Sequence, residues 1–199
     1  SVRGVELLDY DLCRNAIIDR NLGTGHPKLM QVLGLPEGRP LDYKRNSISF
    51  YNRGPRRRDL RLPVTRLMGP DATEGFRGDI RGVVTRVVDA IPADRSVDLM
   101  AALCDPIPSA VYCYWIGAPF EDAGFVARTS HRVQQVHTRN PDLADDIVAA
   151  FEGLIDYADR RIAIRRGDLR DDLLSDLIRA EQAGRLSPDD LRNWVIKLA

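Results

Sequence analysis

Apolar residues recur at three- and four-residue intervals over most of this chain, a period that predicts a mainly helical fold. The longest such stripe covers residues 143–164, with Ile147, Val148, Phe151, Leu154, Ile155, Ala158 and Ile162 on one face. A second helix, introduced by Gly69-Pro70-Asp71 and ended by Ile91-Pro92, carries Phe76, Ile80, Val83, Val84, Val87 and Val88. Residues 109–116 are strongly apolar, with Tyr114 and Trp115 as core or boundary residues, and read as a buried helix ended by Gly117. A short unit over residues 99–103 precedes it, closed by Asp105-Pro106-Ile107-Pro108.

Further helices are expected over residues 12–19, with Ile17 and Ile18 inward, from Pro119 to about Val136, and over residues 173–181. The last begins at Ser187-Pro188-Asp189-Asp190, which sets an N-cap serine, a first-turn proline and an acidic residue three positions on. Its apolar run, Trp194, Val195, Ile196 and Leu198, reads as a helix cut short, and the chain therefore as a piece whose apolar face is left in water. Residues 5–8 suit a short strand. Residues 39–52 read as irregular, with Ile48, Phe50 and Tyr51 as apolar anchors.

Composition narrows the class. With 199 residues and a hydrophobic fraction of 44%, the chain can bury a real core as one domain or part of one. No run is long enough to span a bilayer and no signal peptide opens the chain, so a cytoplasmic location with no membrane partner is expected. Cys13, Cys104 and Cys113 lack paired spacing and read as reduced thiols; with His26, His131 and His137 isolated, no metal site is expected. Neither a phosphate-binding glycine loop nor a nucleophile elbow appears.

Charge changes the picture in one place. The chain balances 29 Lys+Arg against 29 Asp+Glu, yet residues 53–68 crowd Arg53, Arg56, Arg57, Arg58, Arg61 and Arg66 together. Leu60, Val64, Leu67 and Met68 keep helical spacing there, so the arginines occupy the other sides of an amphipathic helix. Such a face is either simply solvated or built to hold an anion, because guanidinium matches a carboxylate bidentately.

Two stretches resemble bacterial cytochrome P-450 monooxygenases. Cys104-Asp105-Pro106-Ile107-Pro108-Ser109-Ala110-Val111-Tyr112-Cys113-Tyr114-Trp115-Ile116-Gly117-Ala118-Pro119-Phe120-Glu121-Asp122 is similar to that family's PLPxxVIxxLLGVPxED segment. Arg160-Arg161, Asp171-Asp172-Leu173-Leu174-Ser175-Asp176-Leu177-Ile178 and Gly184-Arg185-Leu186-Ser187-Pro188-Asp189-Asp190-Leu191 resemble its RRxxPxDDLLSxLIxAExxGxxLSxxEL segment. The resemblance implies one partial domain, residues 1–199. Its fold would be an incomplete cytochrome P-450: the N-terminal helices up to the start of the long central helix, with a little β near the N-terminus.

It also implies function. The complete enzyme would bind haem b and oxidise a small apolar substrate with O2 and electrons from a ferredoxin-type donor, with no nucleic-acid partner. The oxygen-activating AGxET motif and the FGxGxHxCxG loop with the axial cysteine are absent, so no catalytic residue is assigned here. Residues 53–70 fall where the family has DPPEHTRLRRLVSKAFTP. On that match Arg61 stands for the family's propionate-binding arginine and Arg57 for its histidine, while Pro63 interrupts the helix. Arg53, Arg56, Arg58 and Arg66 would face the electron donor. Ile48 and Phe50 would touch substrate or simply pack beneath a loop, and residues 134–140 would form a mobile lid. The alternative is a haem-less relative acting as a scaffold through protein–protein binding.

Overall fold

The computed structural model describes residues 6–19, 21–22, 35–48, 54–138 and 140–199. Helix α1 spans Tyr10–Ile18, α2 Arg39–Asn46, α3 Pro55–Leu67, α4 Pro70–Gly75 and α5 Arg77–Asp89. A π-helical turn, Met100–Cys104, leads into α6 (Pro106–Trp115), and a 3-10 turn, Phe120–Asp122, into α7 (Ala123–Gln134). Two more 3-10 turns, Gln135–Thr138 and Pro141–Leu143, precede α8 (Ala144–Arg166), α9 (Leu173–Gln182) and α10 (Pro188–Leu198).

Helix α8 is the axis of the packing. Its stripe of Ile147, Phe151, Leu154, Ile155 and Ala158 is buried, and α2, α7, α9 and α10 all lie against it. A helix this long with apolar residues on several sides needs neighbours on several sides, and it has them. Helix α6 then packs on α7, and α5 on α6. Tyr112 of α6 reaches across the core to donate its hydroxyl proton to the Val195 carbonyl at 3.1 Å.

Where α8 ends, a buried arginine joins three elements. Arg165, 4% exposed, donates to the Gly117 carbonyl at 2.8 Å and to the Asp168 carbonyl at 3.3 Å, and pairs with Asp172 at 2.9 Å. Arg161 donates to the same Gly117 carbonyl at 3.0 Å. Asp172 is also the N-cap of α9, accepting from the Ser175 N–H at 2.8 Å. Gly117 ends α6 in the left-handed region, at φ +60°, and a Cβ there would overlap the Arg165 guanidinium.

Several expectations are corrected. The described residues hold no strand: Glu6, Leu7 and Leu8 are exposed without regular structure, having no described strand to pair with. Val5 lies outside the described residues. Ile17 and Ile18 do not point inward; they are 84% and 71% exposed, because no described element covers α1. Residues 39–46 form a helix instead of an irregular segment, with Leu41 and Tyr43 buried. The helix expected after Asp71 is split at Phe76, whose ring lies 6.0 Å from that of Trp115. The last helix is not left with an apolar face in water, since Leu191, Val195 and Ile196 are buried against α2, α8 and α9.

Substituting Gly117→Ala should lower stability by roughly 2–4 kcal/mol, combining backbone strain with disturbance of a buried ion pair. Gly184 shares the left-handed conformation at φ +69° but has nothing within 4 Å of an added Cβ. Gly184→Ala should therefore cost only about 1–2 kcal/mol. Urea denaturation followed by circular dichroism separates the two.

Candidate functional site

Helix α3 starts cleanly because Gly54 takes φ +90° before Pro55, which needs no N–H bond in the first turn. Leu60 and Val64 are each 2% exposed and seat the helix on the core. Pro63 sits inside it and removes one backbone bond. Close by, the Leu60 carbonyl accepts the Trp194 indole N–H at 3.0 Å, which fastens α3 to α10.

The arginines divide around this buried seam. Arg57 and Arg61 are one turn apart on the flank beside Leu60 and Val64, so they share a side of the helix. Arg57 is half-buried and donates to the Ile48 carbonyl at 3.4 Å; Arg61 is exposed. On the opposite flank Arg56 reaches Asp190 at 2.5 Å. Asp190 is a 2%-exposed carboxylate that also closes the capping box of α10, accepting from the Ser187 N–H at 2.8 Å. Beside that pair, Arg56, Asp59, Leu62 and Pro63 face Gly184 and Arg185 across an open hollow of about 470 Å³. Arg58 is exposed between the two flanks.

Arg57 and Arg61 thus share one side of α3, and Arg56 stands in a structural pair with Asp190. Phe50 and Arg53 lie outside the described residues, as does the Arg66 side chain. Ile48 is partly buried against the core, beside a cavity of about 10 Å³ shared with Asn46, Leu60, Asp190, Asn193 and Trp194. That volume admits about one water molecule. In the expected lid segment, Val136 is fully buried and anchors the 3-10 turn.

The three cysteines sit in different surroundings. Cys113 is buried in α6 and burial pushes its thiol up to about 11. Cys13 donates its S–H to the Leu7 carbonyl at 3.3 Å, and Cys104 is exposed in the π-helical turn. Among the described residues no group of three or more His, Cys, Asp or Glu side chains is arranged to hold a metal, and no helix is long and apolar enough to cross a membrane. Reading the chain residue by residue missed the joint roles of Arg165, Gly117 and Asp172, and the pairing of Arg56 with a residue 134 positions away. Only the S-P-D-D start of α10 signalled that Asp190 would be engaged.

The curated and structural neighbours of the chain are cytochrome P-450s, aligned over about their N-terminal halves. Luteothin monooxygenase of Streptomyces thioluteus is 29% identical over 180 residues, which is 89% of this chain and 44% of that protein. The solved cytochrome P-450 enzyme CxnD, for C–S bond formation in chuangxinmycin biosynthesis, is 29% identical. Its TM-score is 0.68, over 84% of this chain and 42% of that one. The crystal structure of CalO2, 22% identical, shares the fold with a TM-score of 0.81 over 94% of this chain and 48% of that one. The chain spans less than half the length of each of these relatives. No family model matches it.

Arg56→Ala should lower the thermal midpoint, at a cost of about 1–3 kcal/mol, because the buried Asp190 carboxylate keeps its burial and loses its cation. Arg58→Ala on the exposed face should stay within about 0.5 kcal/mol of the parent. Calorimetry of both variants checks the division of the arginines into one structural and one solvated group.

Proposed function

We propose that this chain is the N-terminal portion of a haem-dependent cytochrome P-450 monooxygenase that oxidises a small, largely apolar molecule. The observation that carries the reading is the agreement of sequence and fold with one family over nearly all of the chain.

The residues present fit the group that the family implies. Arg61 and Arg57 stand one turn apart on one flank of α3, a placement that suits two propionate carboxylates that need forked N–H donors. Arg61 is exposed and available, whereas Arg57 would exchange its contact with the Ile48 carbonyl for the carboxylate. When bound, haem b with a thiolate axial ligand supplies the activation of O2. We read that sulfur as lying beyond these three cysteines; the burial that keeps the Cys113 thiol protonated supports this. Arg58, with Arg53 and Arg66, would steer an acidic ferredoxin-type electron donor to the same helix. Arg56 contributes less there, because Asp190 already neutralises it. Ile48 and Phe50 would border the substrate.

The haem-less scaffold reading is the second choice. The hold of Arg57 on a backbone carbonyl favours it, since that donor is engaged within the protein.

Expression of the continuous reading frame containing this chain tests the proposal. A Soret band with the position of thiolate-ligated haem is expected, and a well-folded product without haem would overturn it. In that protein Arg61→Ala should weaken haem retention about tenfold, equal to about 1.4 kcal/mol, measured by haem transfer to an acceptor protein. Because Arg61 is exposed, the far-ultraviolet circular dichroism of the variant should not change.

A further inference from the structure

Between α2, α8 and α10 lies a cleft of about 140 Å³ that none of the roles above uses. Arg39, Asp42 and Tyr43 of α2, Ile155 of α8, and Arg192 and Asn193 of α10 line it. Its volume is that of about four or five water molecules, enough for a small organic molecule. Arg39, Asp42 and Asp189, which also lies on its wall, are exposed, so the cleft is reached from solvent.

Opposite charges are unequal in number there. Arg39 meets three carboxylates of α8, Glu152 and Asp156 at 2.8 Å and Asp159 at 3.5 Å. Arg192 meets Asp159 at 2.5 Å and Asp189 at 2.7 Å. Asp42 lies 3.9 Å from Arg45, whose fork is already filled by Glu37 at 2.8 and 3.0 Å. Five carboxylates thus stand about two guanidinium groups, and a cleft with surplus negative charge gathers cations. Lys44, the remaining cation of α2, does not line the cleft; its ammonium lies over the Phe151 ring at 5.0 Å. Among the described residues no three acidic, His or Cys side chains are arranged to hold a metal ion. A cation that brings its own directed N–H donors suits these separated carboxylates better than a point charge does.

Asn193 asks for a different atom. It is 7% exposed, and its side-chain Nδ2 has no hydrogen-bond partner. A buried N–H left unpaired is costly, which calls for an acceptor from outside the chain. The void of about 10 Å³ that Asn193 also lines admits one water, which meets one of the two N–H bonds and leaves the other for a ligand.

We propose that this cleft binds a small protonated amine with an oxygen close to its nitrogen, of the amino-alcohol class. The ammonium donates to Asp42, the lining carboxylate least satisfied by an arginine. The oxygen accepts from the Asn193 amide, and the short carbon chain lies against Ile155. This site does not rest on the monooxygenase reading.

The test is calorimetric titration of the protein expressed from the continuous reading frame containing this chain. The probe is ethanolamine hydrochloride at neutral pH, compared at equal ionic strength with ethylamine, tetramethylammonium and ethylene glycol. Ethanolamine should bind saturably, with a dissociation constant on the order of 1 mM. Ethylamine, which lacks the oxygen, should bind about threefold more weakly or worse, and tetramethylammonium and ethylene glycol more weakly still. Asp42→Asn, at an exposed position, should weaken ethanolamine about threefold or more. Asn193→Ala should bring ethanolamine down to the affinity of ethylamine, with circular dichroism confirming that the variant is folded. Absence of saturable heat, tetramethylammonium or ethylene glycol binding as tightly as ethanolamine, equal affinity for ethylamine and ethanolamine, or unchanged affinity in Asp42→Asn would overturn the proposal.

Discussion

The arrangement of this chain depends on one buried cation. The long helix that carries the core stripe has Arg165 in its last turn, and that guanidinium is shared by the carbonyl closing one helix and the carboxylate opening another. A charge taken out of water is costly unless its donors are met, so the three elements cannot move independently without exposing a large penalty. Left-handed Gly117 is the condition for this meeting, because any side chain there would fill the space that the guanidinium occupies. The positions of α6, α8 and α9, and through them the floor beneath α10, follow from that local geometry.

The basic helix is fixed in a different way. Its seam is apolar, and two polar contacts pin it to α10: the indole of Trp194 on one side and Asp190 on the other. These contacts sort arginines that are alike in sequence. Arg56 is structural, Arg57 is turned toward a backbone carbonyl, and Arg58 and Arg61 remain on the surface. An anion approaching from the Arg57 and Arg61 flank therefore meets a rigid support, the arrangement that favours bidentate recognition.

Much of the helical plan was legible in the sequence because it is written locally. The period of the long helix, the S-P-D-D start of α10 and the glycine stop at residue 117 each depend on neighbours within a few residues. What escaped depends on distant partners. Helix α2 has eight residues, too few for a period to show and too few to persist alone, and exists because Leu41 and Tyr43 are buried against other helices. The exposure of Ile17 and Ile18 was hidden for the opposite reason: a periodic stripe says which face is apolar, not what covers it. Arg57 and Arg61 were singled out only through the family resemblance, although their spacing of four puts them one helical turn apart.

The bond from Trp194 to the Leu60 carbonyl has an optical consequence. The chain has two tryptophans, and one of them has its indole N–H committed to the backbone of the basic helix. Emission from that ring thus registers whether α3 is seated on α10. With Trp115 replaced by phenylalanine, the remaining fluorophore would report the docking of these two helices without any added dye.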